Sequence, residues 1–473
     1  MKTILKVLSA VALTGVMVLP VLADDATTTT DAKDVKDLKK VIENEGINYV
    51  ETAQKGITLS GYVDVSYTEQ FGGRGTAFGG AQSIGHSFDR NNNNFNVNAV
   101  KIALEKALPD KNEWAAGFRI DAILGSDAKF LGDSAFGNSS SSGSSSVSTS
   151  YPIALEQALV KFRIPVGNGL DIYAGKFVTF LGYEVIESPA NLNFSRGLLF
   201  TNLIPLTHTG VYADYKFNDT VEAKFGVVDG WNNSVSPGGR GFGTTDVAND
   251  YPFGGKAITG QVNVTAPGKN ANICQSFIYS PSGEPGVVGG VDNGPVAVYD
   301  IWGNWNPTFV KDSALTLGFN VDFGYNGGAG LPNQVTPSFN GVNPQGNDGD
   351  GDSDLNESTD SNTWWGAALY ASYKVNKVIT LSARGEYIHS DSSANPIFGA
   401  AFQSNDDFSE TLTASFAIWD NLLTRVEYRY DHVVTGSTNG GSDVSDSGSQ
   451  NPANNVATYQ DQNEISLEAV YSF

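Results

Sequence analysis

Residues 465–473 read ISLEAVYSF, and Ile465, Leu467, Ala469, Tyr471 and Phe473 place an apolar or small side chain at every second position, with Glu464 and Glu468 among the residues between. A period of two marks a strand with one greasy and one polar face. Chain ends usually fray as polar tails, so a strand that runs to the last residue is expected to have its backbone held on both sides. The rest of the sequence indicates what holds it.

The same alternation opens at Ile57, where Ile57, Leu59, Gly61, Val63, Val65 and Tyr67 interleave with Thr58, Ser60, Asp64 and Ser66. It recurs clearly at 114–124, 209–217, 220–229, 313–324, 363–374, 378–388, 422–431 and 462–473, and more weakly at 95–106, 154–165, 169–178, 256–265, 271–279, 295–305 and 408–418. With 57–68 these segments predict sixteen strands, fourteen and eighteen being the alternatives, each near the ~9–11 residues that cross a bilayer at a tilt. The apolar set changes phase near Val100, which suggests a bulge.

Connections after odd strands are long and those after even strands short, as at Asn218-Asp219, Asn376-Lys377 and Pro267-Gly268-Lys269-Asn270. A soluble sandwich has no reason for this alternation, whereas an outer-membrane barrel has short periplasmic turns and long external loops. The expected fold is an all-β, transmembrane, antiparallel up-and-down barrel over residues 57–473. Its last strand pairs with its first, because in hydrocarbon every backbone polar group needs a partner within the sheet. Trp114, Trp364, Trp365, Trp305, Trp419 and Trp231 fall at or beyond strand ends, as aromatic girdles would.

Residues 1–23, MKTILKVLSAVALTGVMVLPVLA, carry Lys2 and Lys6, an apolar run and small residues near Ala23, which reads as a cleaved signal peptide. Residues 24–56 are a polar periplasmic lead-in on which Val35, Leu38, Val41 and Ile42 outline a short helical face. The formal charge is −22, and losing the two signal lysines makes it −24, which disfavours nucleic-acid partners. The single Cys274 excludes an internal disulfide, and His86, His208, His389 and His432 are too scattered to show metal-ligand spacing, so no cofactor is expected.

Within AGKFVTFLGYEVIESPANLNFSRGLLFTNLIPLTHTGVYADY, residues 174–215, the stretches Gly175-Lys176-Phe177, Gly182-Tyr183-Glu184, Ser195-Arg196 and His208-Thr209-Gly210 resemble the OmpL-like β-barrel porin family of Gram-negative bacteria, as does VVDGWNN at 227–233. The resemblance implies an outer-membrane channel, with no solute specified. The expected function is passive diffusion of small hydrophilic solutes or ions, without catalysis. The alternative is a structural or adhesive barrel with a blocked lumen. Expected partners are outer-membrane lipid and lipopolysaccharide, and the assembly machinery that reads a strand ending at Phe473. A homotrimer is the general-porin expectation.

Strand phase assigns an inward file of charge: Arg119, Asp121, Lys161, Arg163, Asp214, Lys216, Glu222, Lys224, Arg384, Glu386, Arg425, Glu427, Arg429 and Asp431. Charges at membrane depth are tolerated where they face water or one another. Residues 179–208 form the third external loop, whose many apolar residues would be exposed if it pointed outward. It is expected to fold into the lumen with Glu184 and Glu187 facing Arg384, Arg425 and Arg429 across a constriction. The alternative is a local pair between Glu184 and Arg196. The acidic loop 347–357 lacks an EF-hand's Gly and terminal Glu, so weak divalent binding there is the lesser reading. Ser195, His208 and Asp214 lack the glycine context of a nucleophile elbow.

Overall fold

The computed structural model describes residues 56–71, 86, 88–89, 91–131, 153–231, 256–281, 295–310, 314–326, 362–390, 404–436 and 461–473. Residues 1–23, read above as a signal peptide, residues 24–55 of the lead-in and the acidic loop 347–357 lie outside them. The first strands are β1 (Ile57–Phe71), β2 (Asn94–Lys106), β3 (Ala115–Leu124) and β4 (Ile153–Ile164). They continue as β5 (Leu170–Val178), β6 (Thr207–Lys216), β7 (Val221–Val228) and β8 (Ala257–Thr265). The second half holds β9 (Ala271–Ser280), β10 (Val296–Trp305), β11 (Leu315–Asn326) and β12 (Asn362–Lys374). It closes with β13 (Ile379–Ser390), β14 (Ser404–Trp419), β15 (Leu422–Gly436) and β16 (Asp461–Ser472).

These strands form one closed antiparallel barrel in sequence order, as the alternation predicts. Closure runs from Tyr62 opposite Ser472 to Phe71 opposite Asn463. The seam is extended by reciprocal backbone bonds, Gly61 N–H to Phe473 O at 3.0 Å and Phe473 N–H to Gly61 O at 2.9 Å. Outside, Leu369, Leu412 and Leu467 are exposed at 70 %, 59 % and 49 %, the surface a bilayer covers. Inside, β13, β15 and β16 present Arg384, Glu427, Arg429 and Glu468 at no more than 4 % exposure. One sheet thus has two solvents.

Two irregularities aim charge. At the phase change near Val100, consecutive residues Asn98 and Ala99 are both buried, and Asn98 bonds inward to Asp64 at 2.9 Å and Ser66 at 3.0 Å. On β4 the register skips Glu156, Asp121 pairing with Gln157 and Ala122 with Leu155, and both Glu156 and Gln157 are buried. A bulge redirects a side chain without breaking the sheet. The tryptophans divide otherwise than expected. Trp114, Trp305, Trp365 and Trp419 are exposed at girdle positions, but Trp231 and Trp364 are buried at 1 % and 2 %.

The seam gives a direct test. A Cβ on Gly61 would lie 2.7 Å from the Phe473 ring and would also run into the Lys101 carbonyl, which is backbone and cannot swing away. Gly61→Val is expected to abolish the fast-migrating folded band in unheated gels, whereas Ser60→Ala leaves it. Equal folding of both would show that the seam tolerates a side chain there.

Candidate functional site: the loop-filled lumen

A sixteen-stranded barrel is too wide for wall side chains alone to fill. Residues 179–206 enter the lumen and run along the inner wall. Near β8 and β9 the Phe180 carbonyl accepts from Gln261 Nε2 at 2.7 Å and Ser276 Oγ at 2.9 Å. Next, Tyr183 N–H donates to Asn320 Oδ1 at 2.9 Å, and its ring stacks on Tyr370 at 4.3 Å between centroids. The loop then reaches β16, where Ser188 bonds Glu468, and returns along β15 to β12.

The return limb carries a short helix, α1 (Leu198–Asn202). Leu199 and Leu203 lie over the Gly366 backbone on the inner wall of β12, where a Cβ would meet Leu203 at 2.5 Å and Ile388 at 2.9 Å. Glycine there permits the close approach. Phe180, Leu181, Ile186, Phe194, Leu198, Leu199 and Phe200 are all buried. The loop's apolar side chains have found an apolar wall.

Its backbone polar groups are met by wall charges. Arg384 donates to Glu184 Oε1 at 2.7 Å, to the Ser195 carbonyl at 2.6 Å and to Ser195 Oγ at 3.0 Å, and lies 2.8 Å from Glu386. Arg425 donates to the carbonyls of Ser188 at 3.0 Å and Asn191 at 2.7 Å while pairing Glu468 at 3.2 Å. Glu427 accepts the N–H groups of Phe194 at 2.6 Å and Ser195 at 2.9 Å. Arg429 donates to the Arg196 carbonyl at 2.8 Å and to Asp431 at 3.0 Å. Buried guanidinium and carboxylate groups here replace the water that an irregular backbone would otherwise need.

This placement separates Glu184 and Glu187, which the sequence reading sets together opposite Arg384, Arg425 and Arg429. Glu184 meets Arg384, and its second oxygen accepts the Gly197 N–H at 2.6 Å. Glu187 does not face the arginines: it pairs Lys101 on β2, whose ammonium also meets Glu156 at 2.6 Å and Asp121 at 3.2 Å. The bulge at Glu156 assembles that group, which a strict period of two does not foresee. Arg196 pairs with neither glutamate. It donates to the carbonyls of Phe194 and Ile186, lies 3.6 Å from Asp127 and stands 4.7 Å over the Phe88 ring. Ser195 and His208 are also apart, the serine held by Arg384 and the imidazole 3.1 Å from Thr179.

Phe88, from the first external loop, packs on Phe130 at 5.3 Å and on Phe200 of the third loop at 5.9 Å. His86 beside it is fully buried. Burial and Arg429 pull its imidazole down, but Asp89, Glu464 and Asp431 together outweigh them and lift it to about 10. No local motif in the sequence marks His86, Phe88 and Asp89 as inward residues.

Toward the short-turn end the opposite wall stays wet. Arg119 and Lys161 meet Glu105. Beyond them Arg163, Asp171, Tyr173, Asp214, Glu222 and Lys224 on β4 to β7 are half-buried. Arg163 grips Asp171 through bonds of 2.7 and 2.6 Å, and Lys224 lies 3.9 Å from Glu222. Truncating Arg384 leaves Glu184 and Glu386 buried without their guanidinium, and losing one partner of a buried pair costs about 3–5 kcal/mol. Arg384→Ala should therefore lower the urea midpoint of detergent-solubilised protein and expose residues 184–199 to added protease. An unchanged midpoint and cleavage pattern would mean that Arg384 does not anchor the loop.

Comparison with known proteins agrees with this architecture. No curated protein shows a significant match. Among solved structures, the outer membrane channel DcaP of Acinetobacter baumannii aligns at TM-score 0.51 and 12 % identity, over 88 % of this chain and 97 % of that one. An anion-selective porin from Comamonas acidovorans aligns at TM-score 0.52 and 12 % identity, over 88 % and 99 %. At such identity the likeness is one of fold. The family model described as Putative beta-barrel porin-2, OmpL-like, spans residues 56–473, the whole barrel, and the chain belongs to that family of bacterial outer-membrane porins.

Proposed function

We propose that this outer-membrane porin passes small hydrophilic solutes by passive diffusion along the β4–β7 side of the lumen, beside the inward-folded third loop. One contrast carries the reading. Inward charges of β13 to β16 are sealed under the loop, with Arg384 2 %, Arg425 4 % and Arg429 2 % exposed, whereas Arg163, Asp171, Asp214, Glu222 and Lys224 keep access to water. Both signs line that strip, which favours polar solutes over a strongly selected ion. In this reading Glu184, Arg196, Arg384, Arg425 and Arg429 hold the loop that sets the width. Arg119, Lys161, Arg163 and Glu187 stand nearer the passage. Export through the periplasm, recognition of the last strand by the assembly machinery, a lipopolysaccharide surround and a homotrimer belong to the same proposal.

The density of the loop-filled side favours one other reading, a structural or adhesive barrel with a blocked lumen. Purified protein in a planar bilayer separates the two: the channel produces stepwise ohmic conductance, and a silent barrel removes it. In a salt gradient Lys224→Glu should move the reversal potential toward cation preference. No movement would place the passage away from β7.

A further inference from the structure

We propose that His86, Asp89 and Glu464 form a binding site for one first-row divalent transition cation, of the Zn2+ type, at the external end of the β15–β16 wall. The three side chains belong to the first external loop and to β16, and barrel closure brings them together. His86 Nδ1 lies 2.9 Å from Asp89 Oδ2 and 3.5 Å from Glu464 Oε2. An ion about 2.1 Å from each ligand places neighbouring ligand atoms roughly 3.0–3.5 Å apart, so the group needs little rearrangement to close on one. One imidazole and two carboxylates suit zinc or manganese better than calcium or magnesium, which prefer oxygen alone.

An independent observation points the same way. Asp89 Oδ1 makes no hydrogen bond, although its side chain is only 2 % exposed and that of His86 beside it is 0 % exposed. The other imidazole nitrogen lies 2.8 Å from Asp431 Oδ2, and Gln462 donates to Glu464 Oε1 at 3.0 Å. A ligating histidine ordinarily has its second nitrogen fixed by a carboxylate in this way. Charge agrees as well. Asp89, Asp431 and Glu464 surround one guanidinium, Arg429, which lies 3.6 Å from Asp89 and 3.0 Å from Asp431. A dication in place of the imidazolium proton brings that group to neutrality, at the cost of the proton competition common to histidine sites. The other carboxylate group among the described residues, Asp121, Glu156 and Glu187, already holds the Lys101 ammonium.

The test uses full-length, chelator-treated protein in detergent micelles, titrated calorimetrically with ZnCl2. One equivalent should bind, excess Mg2+ should not displace it, and X-ray absorption of the zinc-loaded wild type should show one imidazole nitrogen and two carboxylate oxygens. His86→Gln and Glu464→Gln, confirmed as folded by heat-modifiable migration, should each weaken binding by about tenfold or more. The double variant His389→Ala/His432→Ala, which removes the outward histidines, should bind as the wild type does. Absence of zinc binding by the wild type, or an absorption spectrum without imidazole, overturns the site. Full binding by folded His86→Gln does so too.

Discussion

Everything in this molecule depends on the prohibition of a free sheet edge in hydrocarbon. An unpaired N–H or carbonyl there costs several kcal/mol, and a long strand exposes many of them. The β1–β16 seam pairs the two edges that the sheet would otherwise leave open, and Gly61 lacks a side chain where the Phe473 ring and a neighbouring carbonyl leave no space. Once the ring is closed, its circumference fixes the lumen, and its lumen fixes what the loops must do.

A sixteen-stranded ring encloses more space than its own inward residues fill, and this chain fills part of it asymmetrically. The third loop presents leucines and phenylalanines to an apolar patch of wall and its peptide groups to arginine and glutamate. Each wall charge is therefore both an ion-pair member and a substitute for solvent. That dual use accounts for their burial without the full penalty of an isolated charge. The remaining wall, with its half-exposed charges, is left to water.

The sequence was legible wherever one periodicity decided the outcome. Alternation located all sixteen strands to within a few residues, and the apolar content of residues 179–208 foretold an inward loop. It was illegible where two distant segments meet. Nothing local to Glu187 distinguishes Lys101 from Arg425 as its partner, since the choice depends on how far the loop travels round the wall and on the bulge that aims Glu156 at the same ammonium. Nothing near His86 announces Glu464, because barrel closure alone joins the first external loop to the last strand. Trp231 and Trp364 mislead as well: their positions at strand ends match a girdle, but both side chains are buried.

The bond from Ser188 to Glu468 spans 280 residues, and that from Phe194 to Glu427 spans 233. Such contacts give the interior a very high contact order, and the chain entropy lost in making them must be met before they return any stabilisation. The loop cannot settle against β15 and β16 before those strands exist as a wall, and the wall on that side is incomplete until β16 joins β1. Docking of the loop and zippering of the seam are thus coupled in time as well as in space. A nascent barrel still open at that seam would have a lumen with a different floor from that of the finished one.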